Sequence, residues 1–306
     1  MNWIAVPHYL LALLLAPLLL GVVNRTKAFF AGRRGQPLLQ SYHDLAKLFG
    51  KGAVYSRTTT WVFRAGPLVA LACMLVALAM LPWGGARALL AFPGDFFVLA
   101  YILGLARFVT VIAALDTGSS FEGMGASREV QFSALAEPAL LLALAGLGRL
   151  THSLSLSAIF AAVTPALWSS AGAFLVLTAV ALLIVFLVEN ARIPFDDPNT
   201  HLELTMIHEV MVLDHGGPDF GLISYGVALK LWLLGSLVSG LAVPVRTGLP
   251  AFDTGAALLG IFAVAVVTGI VESTMARLRL LRVPQLLLSA SLCGLLAILL
   301  QTGVAR

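Results

Sequence analysis

Long apolar runs alternate with shorter polar breaks along almost the whole chain. Eight of them, at 3–23, 62–83, 94–115, 131–150, 170–190, 222–245, 252–274 and 283–303, are near the roughly 20 residues that an α-helix needs to cross a bilayer. Lipid offers no partner to exposed backbone N–H and C=O groups, so such runs form helices and not open sheets. The pattern predicts an all-α membrane protein, a polytopic bundle of about eight transmembrane helices in a single integral-membrane domain over 1–306. The run at 131–150 departs most from the pattern, because it carries Glu137 and Pro138. No Lys or Arg precedes the first run and seven more follow it, so it reads as a span and not as a cleaved leader.

Composition agrees with this pattern. With 59% hydrophobic and 11% charged residues, an ordinary soluble domain is excluded. The segments after the first, third, fifth and seventh spans, with the adjoining helix ends, hold 15 of the 19 Lys and Arg. Basic residues stay cytoplasmic, so both termini are expected on the outer face of the membrane. That asymmetry accounts for the net charge of +4 with the bilayer as partner and no nucleic acid. Trp3, Trp61, Trp83 and Trp168 sit near predicted span ends, as an interfacial belt requires, whereas Trp232 does not. Cys73 and Cys293 lie inside predicted spans and read as small hydrophobes.

Three inner segments are long and polar: 24–61, 116–130 and 191–221. Within the first, Leu38 to Phe49 is a short amphipathic stretch. It reads either as an interfacial helix with Lys47 and Lys51 toward head groups or as a solvated cationic loop. In the second, Gly118, Gly123 and Gly125 permit turns and close backbone approach, and Ser127 is placed to cap the helix that follows. No strand and no Gly-Lys-Ser/Thr accompany these glycines, which excludes a phosphate loop.

The third segment concentrates charge. From Glu189 to Asp219, 31 residues hold seven of the 15 acids and three of the six histidines. Thr200-His-Leu-Glu203 fits a capping box and predicts a short helix, ended by Gly216-Gly217-Pro218. At helical pitch Glu203 and Glu209 face apart, whereas His201, His208 and His215 share a face. Val212 stands where a zinc protease would carry its second His, so the histidines read as proton carriers or caps before metal ligands.

Acids inside a membrane are costly, and they usually mark paths for ions or protons. Glu137 lies within an apolar span beside Pro138. It reads as a proton carrier, or else as a protonated acid bonding a carbonyl that the proline frees. Glu189 stands where the fifth span meets the cytoplasm, with a local pair to Arg192 as the alternative. Asp214 sits near a helix C-terminus, where the dipole disfavours an anion. Glu272 is expected to pair with Arg277 or Arg279.

These residues also form a recognisable pattern. Glu189-Asn-Ala-Arg-Ile-Pro-Phe-Asp196 resembles the signature after the fifth conserved span of the H-type (ND1-like) subunit of respiratory complex I. It is similar again to the membrane subunit of formate hydrogenlyase and other group 4 [NiFe] hydrogenases. The hydrogenase side is the closer match in Ala106-Arg-Phe, Leu115-Asp-Thr-Gly-Ser, Gly125-Ala-Ser-Arg-Glu129, Glu137-Pro138 and Glu272-Ser-Thr-Met-Ala-Arg-Leu-Arg279. Arg33-Arg34-Gly35, Gln40, Asp44 and Lys47-Leu48 fit the family's first inner loop. The resemblance covers nearly the whole chain.

What the resemblance implies is a subunit that anchors a peripheral electron-transfer arm and couples its redox chemistry to proton or sodium movement. By position, Glu137, Glu189 and Glu203 match family acids on that path, and Glu209, Asp214 and Glu272 complete the candidate relay. Arg33, Arg34, Asp44, Lys47, Arg128, Glu129 and Asp196 match residues near the junction with the arm. The implied partners are hydrogenase-like large and small subunits and antiporter-like membrane subunits. Those partners would hold the Fe–S clusters and any Ni–Fe centre, with no cofactor in this chain. The family's complex I members carry an extra Gly-Pro-Asn-Arg stretch at the quinone entrance. Here Gly35-Gln36-Pro37 runs directly into Leu38-Leu39-Gln40, which counts against a quinone site. Asn199, His201 and Asp214-His215-Gly216-Gly217 also depart from the family pattern. The alternatives are a quinone-site subunit of an NADH-quinone oxidoreductase and a stand-alone secondary transporter, although no internal repeat is visible.

Overall fold

A computed structural model describes residues 5–196 and 206–304. Among them are ten α-helices: α1 (Ala5–Phe30), α2 (Gln40–Phe49), α3 (Trp61–Ala79), α4 (Asp95–Asp116), α5 (Ser120–Leu150), α6 (Leu156–Ala162), α7 (Pro165–Glu189), α8 (Gly217–Ala242), α9 (Pro250–Thr274) and α10 (Val283–Val304). Eight are long and apolar enough to cross a membrane, and they match the eight predicted spans. α2 fulfils the amphipathic expectation and packs across α1 and α8.

The polar ends of the helices meet in two groups. At one end Lys27 pairs with Glu272 at 2.8 Å, and the Thr60 hydroxyl donates to Asp116 at 2.9 Å. At the other, His8 meets Thr254 at 2.8 Å, and Asp95 accepts from the Ser155 hydroxyl and the Leu156 amide at 2.9 and 2.6 Å. Between them runs an apolar core centred on Leu99, Leu144, Phe186 and Trp232. Trp61 is exposed, as an interfacial residue should be. Trp83 is not: it is buried against Trp232, 5.5 Å between ring centroids, so it belongs to the core and not to a belt.

Several local expectations are corrected. The segment 116–130 is not a glycine-punctuated loop, because α5 begins at Ser120 and runs unbroken past Pro138. Ser127 therefore caps nothing; its hydroxyl donates to the Met124 carbonyl within the helix. Glycine is poor in a helix interior, and packing explains Gly125. A Cβ there would stand 2.3 Å from Val210 Cγ1 and 3.0 Å from the Ile207 carbonyl oxygen, so the glycine admits the 207–211 segment against α5. Gly216-Gly217-Pro218 does not end a helix but opens α8, with Pro218 in its first turn, where the missing N–H costs nothing. The predicted capping box at Thr200–Glu203 lies outside the described residues. Between 206 and the start of α8 the chain makes only a short 3₁₀ turn at Glu209–Val212, so His208 and His215 do not share a helix face.

Gly125→Ala should lower stability by about 1–3 kcal/mol, the usual cost of overpacking. A thermal unfolding midpoint of the purified protein equal to that of the parent would contradict this account of the contact.

Candidate functional site

The fifth long helix ends early, and that decides the site. Glu189, the last residue of α7, pairs with Arg107 of α4 and with Lys230 of α8. Arg107 lies nine residues before the end of α4 and Lys230 thirteen after the start of α8, about 13 and 20 Å along their axes. Glu189 is therefore level with helix interiors and not at a rim where the span leaves the bundle. The stretch that follows it, 190–196, is buried throughout. Asn190, Arg192, Phe195 and Asp196 are each 5% exposed or less. Non-helical backbone at such depth is tolerated only inside protein or along a cavity.

A C-terminal cap makes the early stop. The Arg192 amide donates to the Leu187 carbonyl at 2.8 Å and the Ala191 amide to the Val188 carbonyl at 3.0 Å. This is a Schellman motif with Ala191 at φ 49°, in the left-handed region that usually takes glycine. Holding a residue with a Cβ there costs about 1–2 kcal/mol, and the surroundings supply the restraint. Phe195 packs edge-on to Phe132 at 5.4 Å. Asp196 pairs with Arg277 at 2.8 Å and accepts the Ile207 amide at 3.1 Å.

Arg107 is the centre of the arrangement. Its Nη1 lies 2.6 Å from Glu137, its Nε 3.2 Å from Glu129, and its Nη2 bonds Glu189. Lys230 Nζ is 2.8 Å from the other oxygen of Glu189. His208 Nδ1 is 3.1 Å from the other oxygen of Glu129. Side chains from α4, α5, α7 and α8 and from the turn before Glu209 thus form one connected cluster. Gly104 lets Glu137 approach, since a Cβ there would stand 3.3 Å from its Oε1. The cluster has an inner and an outer end. On the inner side Arg107, Glu129, Glu189, Lys230 and His208 line a cavity of about 350 Å³, completed by Gln40, Ser41 and Asp44 of α2 and by apolar Leu20, Leu71, Met74 and Leu103. On the outer side 45% of the Glu137 side chain is exposed on the flank of the bundle.

The remaining predicted residues fall into distinct places. Glu129, expected at a docking surface, is buried in the cluster. Asp196, expected there too, is a buried internal tether. Glu189 pairs with Arg107 and Lys230 and not with Arg192. Arg192 turns instead to Glu272 at 3.4 Å, which Lys27 also holds, so Glu272 does not pair with Arg277 or Arg279 as expected. Glu137 pairs with Arg107 and not with a freed carbonyl. Glu209 lines the cavity. Asp214 is exposed, and its amide donates to Glu122 at 3.2 Å. Arg128 donates to the Met206 carbonyl at 2.8 Å. Arg33, Arg34, Asp44 and Lys47 are exposed. Glu203 lies outside the described residues. Arg107 and Lys230 were not among the expected site residues, and His208 was read from sequence only as a proton carrier or cap on a shared helix face. A count of bases by membrane face absorbs Arg107 and Lys230, although a cation inside an apolar span is a functional signal of its own.

The family model for NADH dehydrogenase matches residues 4–303. The chain belongs to the NADH dehydrogenase subunit 1 family. It is a multi-pass membrane protein. It is 34% identical over 273 residues to formate hydrogenlyase subunit 4 of Escherichia coli (strain K12), covering 87% of each chain. It is 32% identical over 283 residues to hydrogenase-4 component C of the same organism, covering 90% of this chain and 88% of the other. In fold it matches a chain of the membrane-bound sulfane sulfur reductase, an archaeal respiratory membrane complex, with a TM-score of 0.79 at 20% identity over 96% of this chain and 98% of the other. The family resemblance read from the motifs therefore holds, and Arg107 and Glu189 lie within two of those motifs.

Two outcomes follow from this geometry. Arg107→Met leaves three carboxylates without their shared cation and should cost about 3–5 kcal/mol. Glu137→Gln removes a half-exposed partner and should cost much less; equal losses of thermal stability would contradict the central role of Arg107. His215, 8% exposed, stacks on Phe63 with 3.9 Å between centroids. Burial holds its imidazole below the ordinary value of 6.5, against the opposing charges of Asp219 and Asp214. Above 6.5 the folded and unfolded forms are both neutral; below it the unfolded form takes up a proton first, so stability falls as the medium is acidified. Amide protection factors around residues 213–217, corrected for the intrinsic exchange rate at each pH, should therefore fall between about pH 7 and 5. His215→Gln should remove that dependence, and persistence of the same profile would assign it to another group.

Proposed function

We propose that this chain is the membrane-anchor and proton- or ion-relay subunit of a complex I-like respiratory assembly of the group 4 hydrogenase type. In this reading the end carrying the basic segments faces the cytoplasm, as the basic-residue bias favours, and the membrane is the cell inner membrane. The segments 24–61, 116–130 and 191–221 would face a peripheral arm built from hydrogenase-like large and small subunits, and antiporter-like subunits would lie alongside in the bilayer. Redox centres, Fe–S clusters and any Ni–Fe site, belong to those partners. The similarity to formate hydrogenlyase subunit 4 and hydrogenase-4 component C over most of the chain supports this assignment.

The single observation that carries the relay is the sharing of Arg107 among Glu129, Glu137 and Glu189. Three carboxylates face two fixed cations, Arg107 and Lys230, which leaves room for one proton. His208, beside Glu129 and lining the cavity, is the imidazole placed to carry it. A charge in a weakly polar interior acts strongly on its neighbours. A proton arriving from the cavity side weakens the hold of Glu129 on Arg107. The guanidinium then leans toward Glu137 and Glu189, and the change is felt at the exposed flank where a neighbouring subunit would receive it. The device is electrostatic and needs no redox centre in this chain.

A quinone-site subunit is the second reading, favoured by the apolar wall of the 350 Å³ cavity opposite its charged wall. Inhibition of the purified assembly by quinone-site ligands would select it. For the relay, the decisive variant is Glu137→Gln. It should assemble normally and retain electron transfer, while ion movement in proteoliposomes falls by at least about tenfold, in line with the loss of a positioned proton carrier. Undiminished coupling in an assembled Glu137→Gln complex would defeat the relay.

A further inference from the structure

A second cavity, separate in its chemistry from the charged one, lies under α2. The approach to α2 rests on α1 at Gly21, where a Cβ would stand 2.1 Å from the Leu38 carbonyl oxygen. The helix rests on α8 at Gly221, where a Cβ would stand 3.2 Å from the Phe49 ring. Held at these two glycine contacts, α2 roofs a groove of about 380 Å³ between α1 and α8. That volume is in the range of about 300–1,000 Å³ common for small-molecule sites.

The groove is amphipathic from end to end. Its inner walls are Pro17 and Leu20 of α1, Leu45 and Leu48 of α2, and Phe220 and Ala228 of α8. Phe220, Ser224 and Ala228 recur every four residues, so the groove follows one face of α8 for about 12 Å. Ser41 and Ser224 offer hydroxyls along the way. At the polar end stand Lys47 and Lys51, four residues apart and exposed. Asp44, the one acid in the lining, accepts a hydrogen bond from Gln40 at 2.8 Å. Neither lysine has an ion pair among the described residues, so the mouth keeps a net positive charge. Their placement at the end of α2 also suits the helix dipole, but the dipole alone does not call for an apolar slot beneath them.

The geometry points to an anionic phospholipid as the occupant of this groove, its phosphate on Lys47 and Lys51 and one acyl chain along Leu20, Leu48, Phe220 and Ala228. Both walls are membrane spans, so such a lipid reaches the slot by lateral movement in its own leaflet. Water would leave the apolar walls unsatisfied, and a neutral lipid would leave the two cations uncompensated. The two cavities share Leu20, Ser41, Asp44, Phe220 and Ser224. The bound lipid therefore closes the bilayer side of the chamber that holds Arg107, Glu129 and Glu189.

The test uses the full chain, with the subunits that co-purify in mild detergent, in vesicles of phosphatidylcholine containing a trace of spin-labelled phosphatidylglycerol. The parent protein should immobilise labelled phosphatidylglycerol in preference to labelled phosphatidylcholine. Lys47→Gln with Lys51→Gln should weaken that preference by about fivefold for each lysine removed, and Lys47→Arg with Lys51→Arg should preserve it. Excess inorganic phosphate should leave the immobilised fraction unchanged. Equal immobilisation of both labels, or a preference that survives the double Gln variant, overturns the assignment. Displacement of the label by inorganic phosphate overturns it as well, because the lysines would then serve a free anion.

Discussion

A single guanidinium, that of Arg107, holds three carboxylates drawn from two other helices. Everything else at the centre of this protein is arranged so that this contact can exist. A buried acid without a partner is strongly unfavourable, and a buried pair is tolerated only when its geometry satisfies both sides. The planar five-donor fork of arginine can serve several oxygens at once, which the point charge of lysine does less well. Lys230 accordingly has the simpler role of neutralising the second oxygen of Glu189. The cluster binds α4, α5, α7 and α8 together where an all-apolar bundle would have only shape to fix their register.

The backbone bends to the same requirement. α7 stops short and caps itself through Ala191 in a left-handed conformation, so that Glu189 meets Arg107 in the interior. The chain that follows would be untenable in lipid, since its amides have no helix to bond within. It survives by burying Phe195 and by tying Asp196 to Arg277 and to the Ile207 amide. Gly125 and Gly104 serve the same end by sparing a Cβ where the 207–211 segment and the Glu137 carboxylate come close. Strain and small residues thus concentrate around one cavity, where they keep charged side chains aimed at each other and at the cavity.

The position of Glu137 gives the cluster a direction. Glu129 and Glu189 face inward on the cavity, while Glu137 shows nearly half of its side chain on the flank of the bundle. A carboxylate at that level has no reason to face hydrocarbon, because the cost of leaving it there is several kcal/mol on insertion scales. Under the proposed relay, it is the point where a neighbouring membrane subunit would continue the polar path. The amphipathic groove beneath α2 shares part of its lining with the chamber, and the proposed lipid would form a boundary there.

Hydropathy by itself determined the number of spans and most of their limits, because a helix in lipid must satisfy its own backbone and announces itself by length and apolarity; it missed the polar ends, such as the first turns of α5, where the helix continues beyond the apolar run. Glu137 and Glu189 were legible for the same reason, as charges in or beside runs that otherwise exclude them. Arg107 and Lys230 carry that signal too, but a tally of cations by membrane face hides it. What only the tertiary structure decided is who pairs with whom. Glu189 reaches Arg107, 82 residues away, and not Arg192 three residues on. Glu272 meets Lys27 on the neighbouring α1, far away in sequence, and Glu129 moves from expected surface to buried core. Local spacing cannot foresee such choices, because an ion pair forms where helices cross, and crossing is set by the packing of whole faces.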